Sequence, residues 1–136
     1  MYTPGRHILS EFHESDRDIF GDPQRIKNLM NKAACVSGAS ILRSVFQRFD
    51  PHGVSGVVVI AESHIAVHTW PEYGYAAVDL VTRSERIDPW KAHRLLKNGL
   101  AAQSVSSKEL RRGKIVEYEH INKDDEKLRR TSGRCL

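Results

Sequence analysis

Residues 6–12 alternate, with His7, Leu9 and Glu11 set against Ile8, Ser10 and Phe12. That period of two belongs to a strand with unlike faces. The period changes after Asp22-Pro23, a helix N-cap followed by a proline at the first helical position. Ile26, Leu29, Met30, Ala33 and Ala34 then recur at helical spacing, and Gly38 is a candidate stop. Residues 41–49, 56–61, 65–69 and 75–82 read as four further strands, with a turn over 71–74. Val57-Val58-Val59-Ile60 is apolar without a break, so that strand is expected to be covered on both sides. Asp88-Pro89 repeats the helix start, and Trp90, Leu95, Leu96 and Leu100 continue it. A polar hairpin over about 106–120 is expected to close the fold, and the charged segment 122–136 to form a flexible tail.

Strands joined mostly by turns, with two helices between them, predict an α+β fold: an antiparallel β-sheet with helices on one face. The other face also needs cover. A second copy of the chain supplies it most economically, so the expected assembly is a homodimer in which the sandwich has α/β/β/α layers. A chain of 136 residues with 40% hydrophobic residues suits one domain, placed at 1–121.

Composition narrows the classes. No run approaches the roughly 18 apolar residues of a membrane span, and residues 1–7 contain no apolar stretch of a signal peptide. Two cysteines, Cys35 and Cys135, make neither a disulfide framework nor a metal motif, so a cytoplasmic protein without a metal is expected. The net charge of +4 resides largely in Lys108, Arg111, Arg112 and Lys114 and in the tail. Acidic residues are mixed through the rest, and the pattern argues against nucleic acid as a partner.

The candidate chemistry is concentrated between Glu62 and Asp79. Ser63 is followed by His64, with His68 further on, so two imidazoles are candidate bases for one hydroxyl. On a strand, 64, 66 and 68 share one face and 63, 65 and 67 the other, so Ser63 and His68 meet only if the chain bulges. A serine hydrolase would need a third orienting group and an oxyanion hole, and no Gly-x-Ser-x-Gly elbow surrounds Ser63. An ordinary polar turn is the non-catalytic alternative.

Gly53-Val54-Ser55-Gly56, Glu62-Ser63-His64 and His68-Thr69-Trp70-Pro71-Glu72 at these mutual spacings resemble the bacterial and archaeal S-adenosylmethionine decarboxylase proenzymes. Gly5-Arg6-His7, Phe49 and Asp88-Pro89-Trp90-Lys91-Ala92 extend the likeness over residues 5–96. The resemblance implies self-cleavage between Glu62 and Ser63 into chains 1–62 and 63–136. Ser63 would become a covalent pyruvoyl cofactor that forms a Schiff base with a small amino-acid-type substrate. It implies processing roles for Ser55 and His68, with His68 also an acid or base in turnover. It implies substrate binding by Glu72, Phe49 and Trp70, with His7 a further pocket candidate. The expected activity is conversion of S-adenosylmethionine to its decarboxylated form and CO2, for polyamine synthesis.

The family carries a proton-donating cysteine where this chain has Arg83. A guanidinium holds its protons far too tightly to donate that one. His68, Tyr75 or a water are the candidate replacements. Arg83 could instead bind a carboxylate. Two alternatives follow: a pyruvoyl-dependent decarboxylase of L-arginine or L-ornithine, and an inactive partner subunit of an active paralogue.

Overall fold

The computed structural model describes residues 5–113. The chain runs β1 (Gly5–His13), α1 (Arg17–Phe20), α2 (Pro23–Val36), β2 (Ile41–Arg48), β3 (Val54–Ile60), β4 (Ser63–Trp70), β5 (Tyr75–Thr82), α3 (Pro89–Gly99) and β6 (Ser104–Arg112). The strands form one six-stranded sheet in the order β2-β3-β4-β5-β1-β6, with every neighbouring pair antiparallel.

Both Asp-Pro helix starts operate as the sequence predicts. Asp22 Oδ1 accepts from the Gln24 N–H at 3.0 Å, and Asp88 Oδ1 from the Trp90 N–H at 3.0 Å. Gly38 stands just past the C-cap of α2 at φ 93°, and its N–H donates to the Cys35 carbonyl. The apolar stripes of α2 and α3 meet one face of the sheet. Ile26, Met30 and Leu96 pack there against Ile8, Phe12, Val58 and Leu80, all nearly or fully buried. Fully burying such a side chain contributes about 1.5–3 kcal/mol, so this layer carries most of the stability.

Three elements depart from the sequence pattern. The short helix α1, capped by Asp16, was not expected; its four residues are too few to show a helical period, and buried Phe20 holds it against the core. Residues 104–112 form one strand paired along β1, so what was expected as a local hairpin begins as a sheet edge. That strand ends at Gly113, with φ 82°, and the remainder of the expected hairpin lies outside the described residues, as do the tail and Cys135. The third departure is in β3. Val54, Val58 and Ile60 are buried under the helices, but Val57 is only partly buried and Val59 is 37% exposed on the opposite face. Within one chain that strand is covered on one side only.

His93 is buried between the helices and the sheet. Its Nδ1 lies 2.8 Å from Ser10 Oγ, and its ring packs against those of Phe12 and Trp90. Burial, reinforced by the Lys97 and Arg94 cations, holds its pKa below the usual histidine value. The folded chain therefore holds His93 neutral, while the unfolded chain takes up a proton below about pH 6.5. Its contribution to stability is complete above that pH and is lost as pH falls through the lower, folded value. Thermal unfolding at pH 7.5 and 5 tests this: Tm of the natural chain should fall more over that interval than Tm of His93→Gln. Equal falls would mean that His93 does not titrate on unfolding.

Candidate functional site

The open face of the sheet carries nearly all the candidate groups, in rows set by strand register. His64, Val81 and His7 make one row, with Val59 before them and Leu110 after. Val57, Ala66, Asp79, Leu9 and Lys108 make the next, and Ser55, His68, Ala77 and Glu11 the one beyond.

Two clusters form at opposite ends of β4. At its C-terminal end, Ser55 Oγ lies 2.7 Å from His68 Nδ1. Two glycines place that serine. Gly56 has no room for a side chain, since a Cβ would come within 2.0 Å of the Phe46 ring. Gly53 turns the chain at φ 103°, with a Cβ position only 2.8 Å from the Thr69 carbonyl. Buried Thr69 fixes the turn from beneath: its Oγ1 accepts from the Val54 N–H at 2.9 Å and donates to the Phe20 carbonyl at 3.0 Å. His68 is followed along the same face by Trp70, whose ring stacks on Tyr75 at 5.1 Å; Tyr75 stacks in turn on His13 at 5.0 Å. Tyr75 donates its hydroxyl to Glu11 Oε1 at 2.9 Å. Its pKa is raised by burial and by that carboxylate, so the phenol holds its proton. Glu72 projects from the 3₁₀ turn Pro71–Tyr73, closed by Gly74 at φ 60°, and is exposed, as is Phe49 at the end of β2.

The second cluster surrounds Ser63. A two-residue loop, Ala61-Glu62, joins β3 to β4, so Ile60 faces Ser63 across the hairpin. Ser63 takes φ 154°, a conformation that residues with side chains rarely adopt. Its Oγ is 3.4 Å from His64 Nδ1. The Glu62 carbonyl accepts from the backbone N–H of Arg83 at 2.8 Å. Ser63, His64, Val81, Arg83 and Arg112 line an open cavity of about 400 Å³.

Ser63 and His68 are thus not brought together within one chain. Five residues of extended strand separate them, about 16 Å. Arg83 lies at the Ser63 end, far from the suggested replacement donors His68 and Tyr75 of its own chain. His7 joins neither cluster: its Nε2 pairs with Asp79 Oδ1 at 3.0 Å in the middle of the open face. Arg112 was not singled out from the sequence, because its place beside Ser63 depends on the pairing of β6 with β1. The nearness of His64 to Ser63 was legible from their adjacency.

Residues 6–113 match the family model for S-adenosylmethionine decarboxylase. The chain belongs to the S-adenosylmethionine decarboxylase family. It is 53% identical over 117 residues to the S-adenosylmethionine decarboxylase proenzyme of Thermotoga maritima, covering 86% of this chain and 90% of that protein. The proenzyme of Carboxydothermus hydrogenoformans is 45% identical over 117 residues, again with 86% of this chain and 92% of the relative covered. The crystal structure of adenosylmethionine decarboxylase from Aquifex aeolicus superposes with a TM-score of 0.79 at 32% identity, covering 86% of this chain and 97% of that one. The α+β fold and the carboxy-lyase class expected from the sequence are those of this family.

Proposed function

We propose that this chain is a self-processing, pyruvoyl-dependent decarboxylase of S-adenosylmethionine that works as a homodimer. The observation that carries the reading is the separation of its two clusters. Ser63 has a hydroxyl, a neighbouring carbonyl that accepts the Arg83 N–H, and His64 at 3.4 Å, but not the hydroxyl-braced imidazole that Ser55 and His68 form. The Ser55–His68 pair has a base but no scissile bond. Two sheets stacked by a two-fold axis through their open faces, with strands opposed, bring the Ser63 end of one to the His68 end of the other. The face has the composition for it: Leu9, Val45, Val59, Trp70 and Leu110 are between 37% and 53% exposed in the single chain.

The local geometry fits formation of the cofactor from Ser63. Ser63 Oγ attacks the Glu62 carbonyl carbon; the C–N bond breaks and an ester replaces the amide, with the proton passing to nitrogen. Removal of the Ser63 α-proton expels the Glu62 carboxylate and leaves a dehydroalanine. Water then displaces its nitrogen as ammonia, which turns the new N-terminus of 63–136 into a pyruvoyl group. His68 of the partner subunit suits removal of the α-proton, since a neutral imidazole near pH 7 is an effective base. With Nδ1–H donating to Ser55 Oγ, the ring is fixed and its basic nitrogen is Nε2, which has no hydrogen-bond partner among the described residues. The pyruvoyl group supplies an electrophilic carbonyl for the substrate amine and a sink for the electrons released with CO2. Glu72, exposed on its turn, suits ribose hydroxyls or a cationic group. Phe49 and Trp70 suit the adenine faces, although one face of Trp70 is already taken by Tyr75.

S-adenosylmethionine is favoured over arginine and ornithine because relatives at about half identity carry its name. The retained Ser55, Ser63 and His68 favour an enzyme over a silent partner subunit. The reading includes one decarboxylase domain over 1–121, a tail over 122–136, and a cytoplasmic location; among the described residues no helix is long and apolar enough to cross a membrane. Denaturing mass spectrometry should show two fragments divided before Ser63, and CO2 release should be fastest with S-adenosylmethionine when arginine and ornithine are assayed beside it. An intact chain with no release from any of the three overturns the reading; faster release from arginine or ornithine overturns the substrate.

A further inference from the structure

Glu62 is held by two loops at once. Its carboxylate Oε1 accepts from the backbone N–H of Ser40 at 3.1 Å, and the neighbouring Ala61 N–H donates to the Ser40 carbonyl at 2.9 Å. These two bonds stitch the β3–β4 loop to the α2–β2 connection. On the other side the Arg83 N–H, just beyond the end of β5, donates to the Glu62 carbonyl oxygen at 2.8 Å. The last register pair of β4 with β5 is Ser63 with Thr82, so this bond carries the ladder one step past both strands and onto the loop. The second attachment is on the carbonyl of the peptide bond into Ser63, the residue at φ 154°. A rare backbone conformation persists only where its surroundings over-determine it.

We infer that these contacts form a clamp that prepares the Glu62 carbonyl for attack: the Arg83 backbone N–H is the donor to the developing oxyanion, and the Glu62 side chain on Ser40 is the positioning element. The inference rests on the self-processing reading above and specifies how that reaction begins. When Ser63 Oγ adds to the Glu62 carbon, negative charge develops on the oxygen that already accepts the Arg83 N–H. A hydrogen bond to an ionised acceptor is shorter and stronger than one to a neutral carbonyl, so the contact gains strength as the barrier is climbed. The donor belongs to the main chain, so a change of side chain at position 83 leaves it in place. The Glu62 carboxylate touches no reacting atom. It keeps a two-residue loop from rotating its carbonyl away from the donor.

Time courses of cleavage in freshly made full-length chain test the clamp, read by fragment mass and by hydroxylamine trapping of the ester. Arg83→Ala, the control for loss of the side chain alone, keeps the N–H. Arg83→Pro removes it and should slow cleavage about 10²-fold, the usual effect of losing one oxyanion donor. Glu62→Ala should slow cleavage about fivefold, the loss that one net hydrogen bond of ordinary strength implies. Glu62→Gln keeps an oxygen acceptor for the Ser40 N–H and should restore the rate. No slowed variant should accumulate trappable ester, because the fault precedes ester formation; a merely softened fold would slow elimination as well. Ester accumulation in Arg83→Pro or Glu62→Ala, or natural cleavage rates in a folded Arg83→Pro, overturn the clamp. If Arg83→Pro does not fold, the Glu62 pair decides: equal rates for Glu62→Ala and Glu62→Gln overturn it. An uncut natural chain overturns the self-processing reading and the clamp with it, whereas a cut natural chain with indifferent variants overturns the clamp alone.

Discussion

Ser63→Ala and His68→Ala will each fail to yield the two natural fragments alone, and mixing them before folding will restore cleavage of the His68→Ala chain. The expectation follows from the distance along β4. Ser63 and His68 stand five residues apart on one strand, about 16 Å, too far for proton transfer within one chain. In a dimer with opposed sheets, the intact Ser63 of the His68→Ala chain meets the intact His68 of the Ser63→Ala subunit. The second site of the same heterodimer has lost both groups and stays silent. Only the His68→Ala chain should therefore be cut, and mass spectrometry distinguishes the two chains if one carries a tag. The contrast is between essentially no fragment from either chain alone and cleavage in a large share of the mixed dimers. Absence of rescue, with mixed dimers demonstrated by co-purification through the tag, would place the cleavage machinery within one chain. Light scattering supplies the companion result: a chain of 15.4 kDa should scatter at twice its mass or a multiple of it.

What the sequence disclosed and what it withheld divide along the range of the interactions involved. Asp22-Pro23 and Asp88-Pro89 announced α2 and α3 because an Asx cap and an N-terminal proline act within a single turn of chain. Tyr75–Thr82 was legible because strand alternation is a property of consecutive residues. The position of β6 was not, because its partner β1 lies about a hundred residues earlier, and nothing in Ser104–Arg112 specifies that partner. The same distance hid Arg112 from the Ser63 cluster. Ser40 was invisible for a related reason: it contributes only backbone groups, and backbone groups carry no residue signature. The motif residues were readable as chemistry, but their division into two clusters was not. Strand periodicity already put Ser63 and His68 on different faces; the register then put Ser55 beside His68 and left Ser63 with His64, Arg83 and Arg112 at the other end of β4. The unbroken run Val57–Ile60 suggested cover on both sides, and the single chain covers one. The remaining exposure of Val59 is apolar surface that the proposed homodimer would cover.

Arg83→Cys should raise the turnover of S-adenosylmethionine and leave self-cleavage unchanged. The two halves of this expectation separate the side chain of residue 83 from its backbone. Cleavage draws on the Arg83 N–H at the Glu62 carbonyl, and any residue other than proline keeps that donor. Turnover requires a proton for the substrate carbon once CO2 has left. The guanidinium holds its protons too tightly to supply one, whereas a thiol with a pKa near 8.5 can. Within one chain His64, its Nδ1 3.4 Å from Ser63 Oγ, is the one titratable side chain besides Arg83 and Arg112 that lines the cavity among the described residues. Positioned general acids are worth about 10²–10⁴-fold, so the gain should reach at least about tenfold even where a water already serves. Protonation at the wrong carbon consumes the prosthetic group, so the natural chain should also lose activity faster per turnover than Arg83→Cys. If Arg83 instead holds a substrate carboxylate, the same substitution will raise KM without raising kcat, because a binding contact shared by ground and transition states acts on affinity alone. Unchanged kcat, KM and inactivation rate in Arg83→Cys would show that the guanidinium beside Ser63 takes part in neither step.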